Sequence, residues 1–192
     1  MNNVTKMLVV LLVIGVVSGG LLAYISDWAT PIIKENARLE TERAVLEVHP
    51  GSTKQIKIDN AGFELYQVMN EKGDITGYAM PNEGTGFQGK VKIMMGMTPN
   101  LDEITGLKVL DQVETPGLGA EIVKDYFTGR FKAISTQPEI KSVKGKKPEN
   151  PNEIEAITGA TISSVAVVKI MNDGIKKVKD YLSTQEKKEG AK

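Results

Sequence analysis

The stretch from residue 155 to 182, EAITGATISSVAVVKIMNDGIKKVKDYL, contains the most regular pattern in the chain. Its apolar residues recur at steps of three and four, which is the spacing of one face of an α-helix. These residues are Val165, Val168, Met171, Ile175, Val178 and Leu182. Lysines collect near the C-terminal end, where positive charge favours the helix dipole. The pattern therefore predicts a long helix that packs one apolar face against a core.

The residues just before this helix are suited to binding a phosphate group. Thr158 and Thr161 offer two hydroxyl groups within one turn, and Gly159 and Ala160 between them leave the backbone accessible to a bulky group. The first turn of the helix adds unpaired N–H groups and the positive end of the dipole. The alternative is that these residues only cap the helix, and composition by itself favours that simpler interpretation.

A second glycine-bearing turn occupies residues 114–120, ETPGLGA. The Pro-Gly pair marks a tight turn, and Gly119 marks a second place where the backbone must bend or admit a neighbour. Leu118 would be exposed inside this turn unless a flat group covered it. An ordinary turn between a strand and a helix is the alternative. Two glycine turns that each precede a helix could face one ligand.

The middle of the chain is predicted to be rich in strands. Strands are expected at residues 64–69, 75–80, 90–97 and 104–110, with loops at 81–86 and over most of 137–152. Residues 120–131 are expected to form a short helix. Strands followed by segregated helices predict an α+β domain with one core.

The N-terminal segment is predicted to be a transmembrane helix. Residues 7–25, MLVVLLVIGVVSGGLLAYI, carry no charge, and about 20 apolar residues are enough to cross a bilayer. Tyr24 and Trp28 lie at the distal end, where interfacial aromatic residues are common. The alternative is a cleaved signal peptide, but its apolar stretch is usually shorter and ends at a small-residue cleavage site that is absent here. The flanking charges leave the orientation open.

The sequence therefore predicts a defined order of segments. A tail (1–6) precedes the transmembrane helix (7–25), and a juxtamembrane helix or stalk (26–51) is expected to begin at Thr30-Pro31. The globular domain is expected to span residues 52–184, and residues 185–192 to form a frayed charged tail. His49 falls at the end of the stalk, where a capping or solvated role is expected.

Composition excludes several function classes. The chain has 24 Lys and Arg against 24 Asp and Glu, no cysteine and one histidine. A neutral chain has no general electrostatic attraction for nucleic acid, and the missing ligands exclude thiolate and multi-histidine metal sites. We therefore expect neither a metal site nor catalytic side chains in this chain, and any chemistry should come from a cofactor.

Three motifs in order resemble one family of flavin-binding domains. Residues 158–161, TGAT, are similar to the S/T-G-A-T motif in which FMN is attached through its phosphate to the final threonine. The family usually has Asp where Glu155 stands. Residues 114–119 resemble the family's E-T-P-G-L-G turn, although a histidine often found just ahead of it is absent. Residues 86–97 are similar to the glycine-containing segment of the family that precedes and enters a central strand.

This resemblance implies FMN as the cofactor and names the residues that contact it. Thr161 is expected to carry FMN as a phosphoester made by a flavin transferase, and the neighbouring residues of the two motifs are expected to bind the cofactor. These neighbours are Thr158, Gly159, Ala160 and Glu155 in the first motif, and Glu114, Thr115, Gly117 and Leu118 around the flavin ring. The family also places the flavin domain on the extracytoplasmic side of the cytoplasmic membrane.

Two components of membrane redox complexes share this plan. The compact chain resembles the G subunit of the Rnf complex, an ion-translocating ferredoxin:NAD oxidoreductase, more than the longer C subunit of the sodium-pumping NADH:quinone reductase. The expected function is electron transfer to and from other subunits. A reversible ligand-binding sensor and a purely structural anchor are the alternatives. The pumped ion, the flavin potential and the donor and acceptor subunits are left open by the sequence.

Overall fold

The computed structural model describes residues 2–189 and consists of a long N-terminal helix, an antiparallel sheet and a C-terminal helix, which confirms the α+β prediction. The helices are α1 (Asn3–Glu47), α2 (Asp125–Thr128) and α3 (Thr161–Glu189). The strands are β1 (Lys54–Lys57), β2 (Tyr66–Met69), β3 (Ile75–Thr85), β4 (Lys90–Met97), β5 (Glu103–Gln112), β6 (Ile134–Ser135), β7 (Lys141–Val143) and β8 (Glu153–Glu155). Short 3-10 helices cover Asp59–Ala61, Gly119–Val123 and Gly129–Phe131.

Six of the strands form one sheet in the order β1-β2-β3-β4-β5-β6, and every neighbouring pair in it is antiparallel. Strands β7 and β8 form a separate parallel pair, in which Val143 is the partner of Glu155. This parallel pair connects the polar segment after β6 to the residues that lead into α3.

Strand β4 lies at the centre of the sheet and is buried on both faces. Val91, Ile93, Met95 and Met97 belong to the core that α3 covers, whereas Met94 belongs to a smaller core on the other face. This alternation is the period of two that a strand imposes on its side chains. We refer to these two clusters as the α3-side core and the α1-side core.

The predicted apolar stripe of α3 faces the α3-side core, with one exception. Val168, Met171, Ile175 and Val178 are buried, and Leu182 is partly buried against the same cluster. Val165, at the start of the stripe, is 47% exposed. The helix continues through residues 185–189, so the predicted frayed tail is helical there, while residues 190–192 lie outside the described residues.

One loop prediction and one helix prediction need correction. Residues 81–85 belong to β3, although Pro81 suggested a loop. β3 pairs with β2 only up to Ala79, so Pro81 lies on an edge of the sheet, where a missing N–H costs no ladder bond. The predicted helix at 120–131 is instead a series of short 3-10 and α turns, and strands β1, β6 and β8 were not predicted.

Helix α1 is continuous, so no second helix begins at Thr30-Pro31. Proline removes one backbone donor from the helix, and the Thr30 hydroxyl donates to the Ser26 carbonyl oxygen at 2.6 Å. The chain divides into residues 1–40 and residues 41–192. The boundary thus falls inside α1, and not after the helix at residue 51 as the sequence suggested.

The last turns of α1 belong to the globular unit because they supply part of its core. Ala44, Val45 and Val48 are at most 2% exposed and form the α1-side core with residues of the sheet. The first unit is different, since its apolar side chains, such as Leu22 at 69%, are exposed. By length and composition, α1 is the one helix of the described chain that could cross a membrane.

His49 is neither a solvated residue nor a charged cap. Its side chain is 3% exposed, and Nε2 lies 2.8 Å from the Tyr78 carbonyl oxygen. A carbonyl oxygen only accepts, so Nε2 carries the proton and donates it. Burial lowers the pKa of His49 because it disfavours the imidazolium, an effect that outweighs the opposing influence of the Tyr78 carbonyl. The folded protein therefore holds this histidine neutral.

We expect the globular unit to lose stability as the pH falls below about 6.5, the ordinary pKa of histidine. Between that value and the lower pKa of folded His49, the unfolded chain binds a proton that the folded chain excludes, so acid favours unfolding. One proton limits this slope to about 1.4 kcal/mol per pH unit. Urea unfolding at several pH values would measure it. In His49→Gln, whose amide still donates a hydrogen bond, the free energy of unfolding should depend less on pH than in the wild type. The same pH dependence in both proteins would contradict this role of His49.

Candidate functional site

The two glycine turns singled out in the sequence meet at one cavity. The cavity has a volume of about 350 Å³. From the first turn it takes Thr115, Leu118 and Gly119, and from the segment before α3 it takes Gly159, Ala160 and Thr161. The remaining lining residues are Phe87, Lys144, Ile162 and Ser163. The structure therefore places the two turns so that one ligand can contact both.

The start of α3 leaves backbone donors at this cavity without partners. Ser164 is the first residue of the helix whose N–H bonds back along the chain, to the Ala160 carbonyl oxygen at 3.0 Å. Within the described part of the chain, the N–H groups of Thr161, Ile162 and Ser163 have no acceptor. Free N–H groups and the positive end of the helix dipole favour an anion such as phosphate.

Ser164 ties the segment before α3 to the first turns of the helix, and among the described residues neither threonine of the motif caps that helix. The Ser164 hydroxyl accepts a hydrogen bond from the Ile157 N–H and donates one to the Ala160 carbonyl oxygen, both at 3.0 Å. No hydrogen bond to the Thr161 hydroxyl is found among the described residues. The Thr161 side chain is therefore not needed to start helix α3 and is available to a ligand in the cavity.

A close approach between the two turns requires glycine at position 159. Gly159 has φ +83°, a conformation that side chains disfavour, and a Cβ atom there would lie 3.3 Å from Leu118 Cδ2. Gly117 also has a positive φ of +73°, but it is exposed and does not line the cavity. Gly117 thus shapes the turn that presents Leu118.

Large apolar side chains surround the cavity and face solvent. Phe87 is 61% exposed, Ile162 60% and Leu118 50%. Apolar side chains that cluster on a surface beside a cavity usually mark a binding site. A flat apolar ring lying against them would remove this surface from water.

Lys144 brings a positive charge to the cavity, and the sequence analysis did not find it. Lys144 directly follows β7, whose last residue, Val143, pairs with Glu155 of β8. No local pattern reveals this parallel pairing, because each strand has only three residues and a polar, proline-containing segment separates them. Phe87, by contrast, lies in the glycine-containing segment already noted and could have been chosen from it.

Several predicted site residues lie away from the cavity lining. Thr158 is exposed outside it, and Glu155 is half-buried in β8, where its carbonyl oxygen accepts a hydrogen bond from the Arg130 guanidinium. Glu114 is only 4% exposed and does not line the cavity. The expectation that Glu114 contacts a ring needs correction, because its carboxylate points to backbone and hydroxyl donors inside the protein.

Comparisons with known proteins agree with this geometry. The family described as the FMN-binding domain matches residues 86–176, a range that includes the cavity residues from Phe87 to Ser163. The G subunit of the ion-translocating oxidoreductase complex of Methanosarcina acetivorans is 29% identical over 96% of this chain and 97% of its own length. The G subunit of the Na(+)-translocating ferredoxin:NAD(+) oxidoreductase complex of Acetobacterium woodii is 38% identical over 58% of this chain and 53% of its own length.

A solved structure shows the same fold at lower sequence identity. The C subunit of the Na(+)-translocating NADH-quinone reductase from Parabacteroides distasonis superposes with a TM-score of 0.61 at 19% identity, over 77% of this chain and 94% of that one. The motifs, the cavity and the family match agree on the same residues. Residues 86–176 therefore match the FMN-binding domain family, the chain as a whole is similar to G and C subunits of ion-translocating oxidoreductases, and the cofactor of the matched domain is FMN.

Proposed function

We propose that this chain is a membrane-anchored electron-transfer subunit of an ion-translocating ferredoxin:NAD oxidoreductase, the Rnf complex, and that it carries FMN covalently on Thr161. The observation that carries the proposal is the position of Thr161, whose free hydroxyl lies beside unpaired N–H groups at the cavity. An ester there would join the threonine oxygen to the FMN phosphorus. A flavin transferase would form it from a flavin dinucleotide: the threonine oxygen replaces the terminal nucleotide at the FMN phosphorus, the bond between the two phosphates breaks, the nucleotide leaves as its monophosphate, and the hydroxyl proton is lost to solvent.

The cavity fits the two chemically different parts of FMN. The N–H groups of Thr161, Ile162 and Ser163 and the Lys144 ammonium suit the phosphate. Phe87 and Leu118 suit the apolar ring. When bound, the flavin supplies reversible transfer of one or two electrons, which no side chain of this chain can provide.

The protein's own residues hold and shield the cofactor. The bond to Thr161 prevents its loss, contacts from Thr115 and Leu118 set the environment of the ring, and Gly117 shapes the turn that presents Leu118. Thr158 and Glu155 lie in the motif but outside the cavity lining, which fits recognition by the transferase better than contact with the bound ring. An ion path needs polar groups within the membrane, and residues 7–25 carry none that are charged, so ion translocation belongs to partner subunits.

The anchor and the relatives support a location in the membrane. Helix α1 could cross a membrane by length and composition, and the relatives are subunits of ion-translocating complexes. We propose a single-pass protein of the cytoplasmic membrane with the flavin domain on the extracytoplasmic side. Protease accessibility of residues 41–189 in right-side-out and inverted vesicles would test the side.

A C subunit of the sodium-pumping NADH:quinone reductase is the second candidate, because such subunits share the fold and the domain. The share of each relative that aligns favours the first candidate. The alignment covers 42% of the C subunit of Pasteurella multocida, 53% of the G subunit of Acetobacterium woodii and 97% of the G subunit of Methanosarcina acetivorans. Electrophoresis of the denatured protein under ultraviolet light tests the flavin proposal directly, since only a covalent flavin stays fluorescent in the protein band.

Leu118→Ala should leave the flavin attached but alter its environment. Leu118 is half-exposed in the cavity lining and carries no group that binds phosphate, so its loss removes cover from the ring and not the bond. We expect greater quenching of flavin fluorescence by iodide and a shifted reduction potential, with unchanged in-gel fluorescence. An identical spectrum, quenching and potential would show that this turn is only a connector.

A further inference from the structure

Glu114 lies where three walls of the cavity meet, although it does not line the cavity itself. It follows β5 and is 4% exposed. The walls are the loop that carries Phe87, the turn that carries Leu118, and the first turn of α3 with Ser163. A charged side chain is rarely buried to this degree without a specific set of partners.

Its partners come from the two walls outside its own turn. Oε1 accepts hydrogen bonds from the N–H groups of Phe87 at 2.7 Å and Gln88 at 3.1 Å. Oε2 accepts one from Ser163 Oγ at 2.6 Å. Every partner can donate to an acceptor-only carboxylate. Within residues 2–189 no cation pairs with Glu114, so amide N–H groups and the N-terminus of α3 offset its charge.

Two glycines leave space for this carboxylate. A Cβ atom on Gly86 would contact Glu114 Oε1, and one on Gly119 would contact Glu114 Oε2 and lie 2.6 Å from Ser163 Oγ. Gly119 also lines the cavity. The carboxylate therefore lies directly behind the cavity wall, separated from the cavity by Gly119, a residue without a side chain.

We propose that Glu114 is a positioning residue of the flavin site, which fixes the Phe87 loop and the first turn of α3 against the Leu118 turn and lowers the reduction potential of the flavin through its buried negative charge. The inference rests on the proposed function. Reduction adds negative charge to the cofactor, and a fixed negative charge nearby opposes it, more strongly where water is excluded. A residue that only braced the fold would affect stability and leave the potential unchanged.

Glu114→Gln separates charge from shape. The glutamine oxygen can accept from Phe87 and Gln88, and its amide can donate to Ser163 Oγ, so the walls stay joined while the charge is lost. In the full chain purified in detergent with its flavin, we expect normal in-gel fluorescence and a potential more positive than that of the wild type. Glu103→Gln, which neutralises an exposed carboxylate at the other end of β5, is the matched control and should leave the potential unchanged.

The positioning role is measured separately, in full chain produced without the flavin transferase. In Glu114→Ala, amide hydrogen exchange in the segment around residues 86–89 should accelerate at least tenfold, while exchange in β4 stays slow. Glu114→Gln should exchange like the wild type in both segments. If Glu114→Ala does not fold, Ser163→Ala and Glu114→Gln still separate the loss of a hydrogen bond from the loss of charge. Ser163→Ala removes one hydrogen bond to Glu114 and keeps the negative charge. Its flavin reduction potential should therefore stay nearer to that of the wild type than the potential of Glu114→Gln does.

An unchanged potential in Glu114→Gln would overturn the electrostatic part of the inference, and unchanged exchange around Phe87 in Glu114→Ala would overturn the positioning part. Failure of the proposed function would look different. In that case the wild-type peptide that contains Thr161 would carry no flavin mass, whereas the exchange experiment, which needs no flavin, would still report on Glu114.

Discussion

Replacing Thr161 with alanine is expected to abolish flavin fluorescence in the denatured protein band while the domain remains folded. The substitution removes the oxygen through which the ester forms and leaves the unpaired N–H groups of α3 in place. Ser164, and not Thr161, ties the preceding loop to the helix. The cost in unfolding free energy should therefore stay below about 1 kcal/mol, the usual cost of losing a capping side chain. Electron transfer by the assembled complex should be lost.

Two variants serve as controls for this result. Thr158→Ala removes the neighbouring exposed hydroxyl, so it should slow attachment at most, and the flavin should remain on the peptide that contains Thr161. Lys144→Ala removes the only lysine of the cavity lining but no bonding atom, and should reduce the yield of attachment without moving it. If Thr161→Ala kept its fluorescence and Thr158→Ala lost it, the attachment site would be Thr158. If neither lost it, the flavin would not be bound through this motif.

Local patterns in the sequence predicted the elements whose surroundings agree with their own preferences. Strand β4 was expected at residues 90–97 and occurs there, because its apolar side chains alternate between the two cores. Helix α3 was predicted from an apolar stripe that does pack on the sheet. In both elements, the buried residues recur with the repeat of the secondary structure, every two residues in the strand and every three or four in the helix.

The site was predictable where its residues are consecutive in sequence, and not where the pairing of separate strands brings its residues together. The segment 158–161 is continuous, and so is the turn 114–119, so motifs identified both. Lys144 depends on the parallel pairing of β7 with β8, which no local pattern encodes. Glu114 was assigned to the ring because it belongs to the turn, but its partners, Phe87 and Ser163, lie on other elements and draw it inside.

The junction between anchor and domain was also mispredicted, because local sequence patterns do not encode tertiary packing. Thr30-Pro31 is a typical helix start, and Pro50-Gly51 a typical end, so the sequence suggested a separate stalk. Proline is also compatible with a continuing helix that faces solvent or lipid along its length. What local signals could not show is that the last turns of α1 are covered by the sheet, because that burial depends on tertiary packing.

Removing residues 1–40 is therefore expected to give a domain that is soluble without detergent and as stable as the globular unit of the full chain. Removing residues 1–51, at the boundary that the sequence suggested, should leave it largely unfolded. The longer deletion takes Val45 and Val48 from the α1-side core, together with His49 and its bond to the Tyr78 carbonyl oxygen. Urea unfolding of both proteins, followed by circular dichroism, measures the difference.

The size of the expected loss follows from the burial of these residues. Val45 and Val48 are at most 2% exposed, and burial of a valine side chain is worth about 1.5–3 kcal/mol. The Thr105 hydroxyl would also lose its acceptor, the Val48 carbonyl oxygen 2.7 Å away, and a hydrogen bond contributes about 0.5–1.5 kcal/mol net to stability. Together these terms approach the whole stability of a typical domain, about 5–15 kcal/mol.

Val45→Ala in the protein that lacks only residues 1–40 provides the matched intermediate, because it keeps the backbone and His49 and removes only two methyl groups. It should cost about 1–3 kcal/mol, between the two deletions. Met94, the β4 residue of the same core, should become accessible to peroxide in the longer deletion and stay protected in the other two proteins. Equal stability of the two deletion proteins, with Met94 protected in both, would mean that the end of α1 is not part of the core.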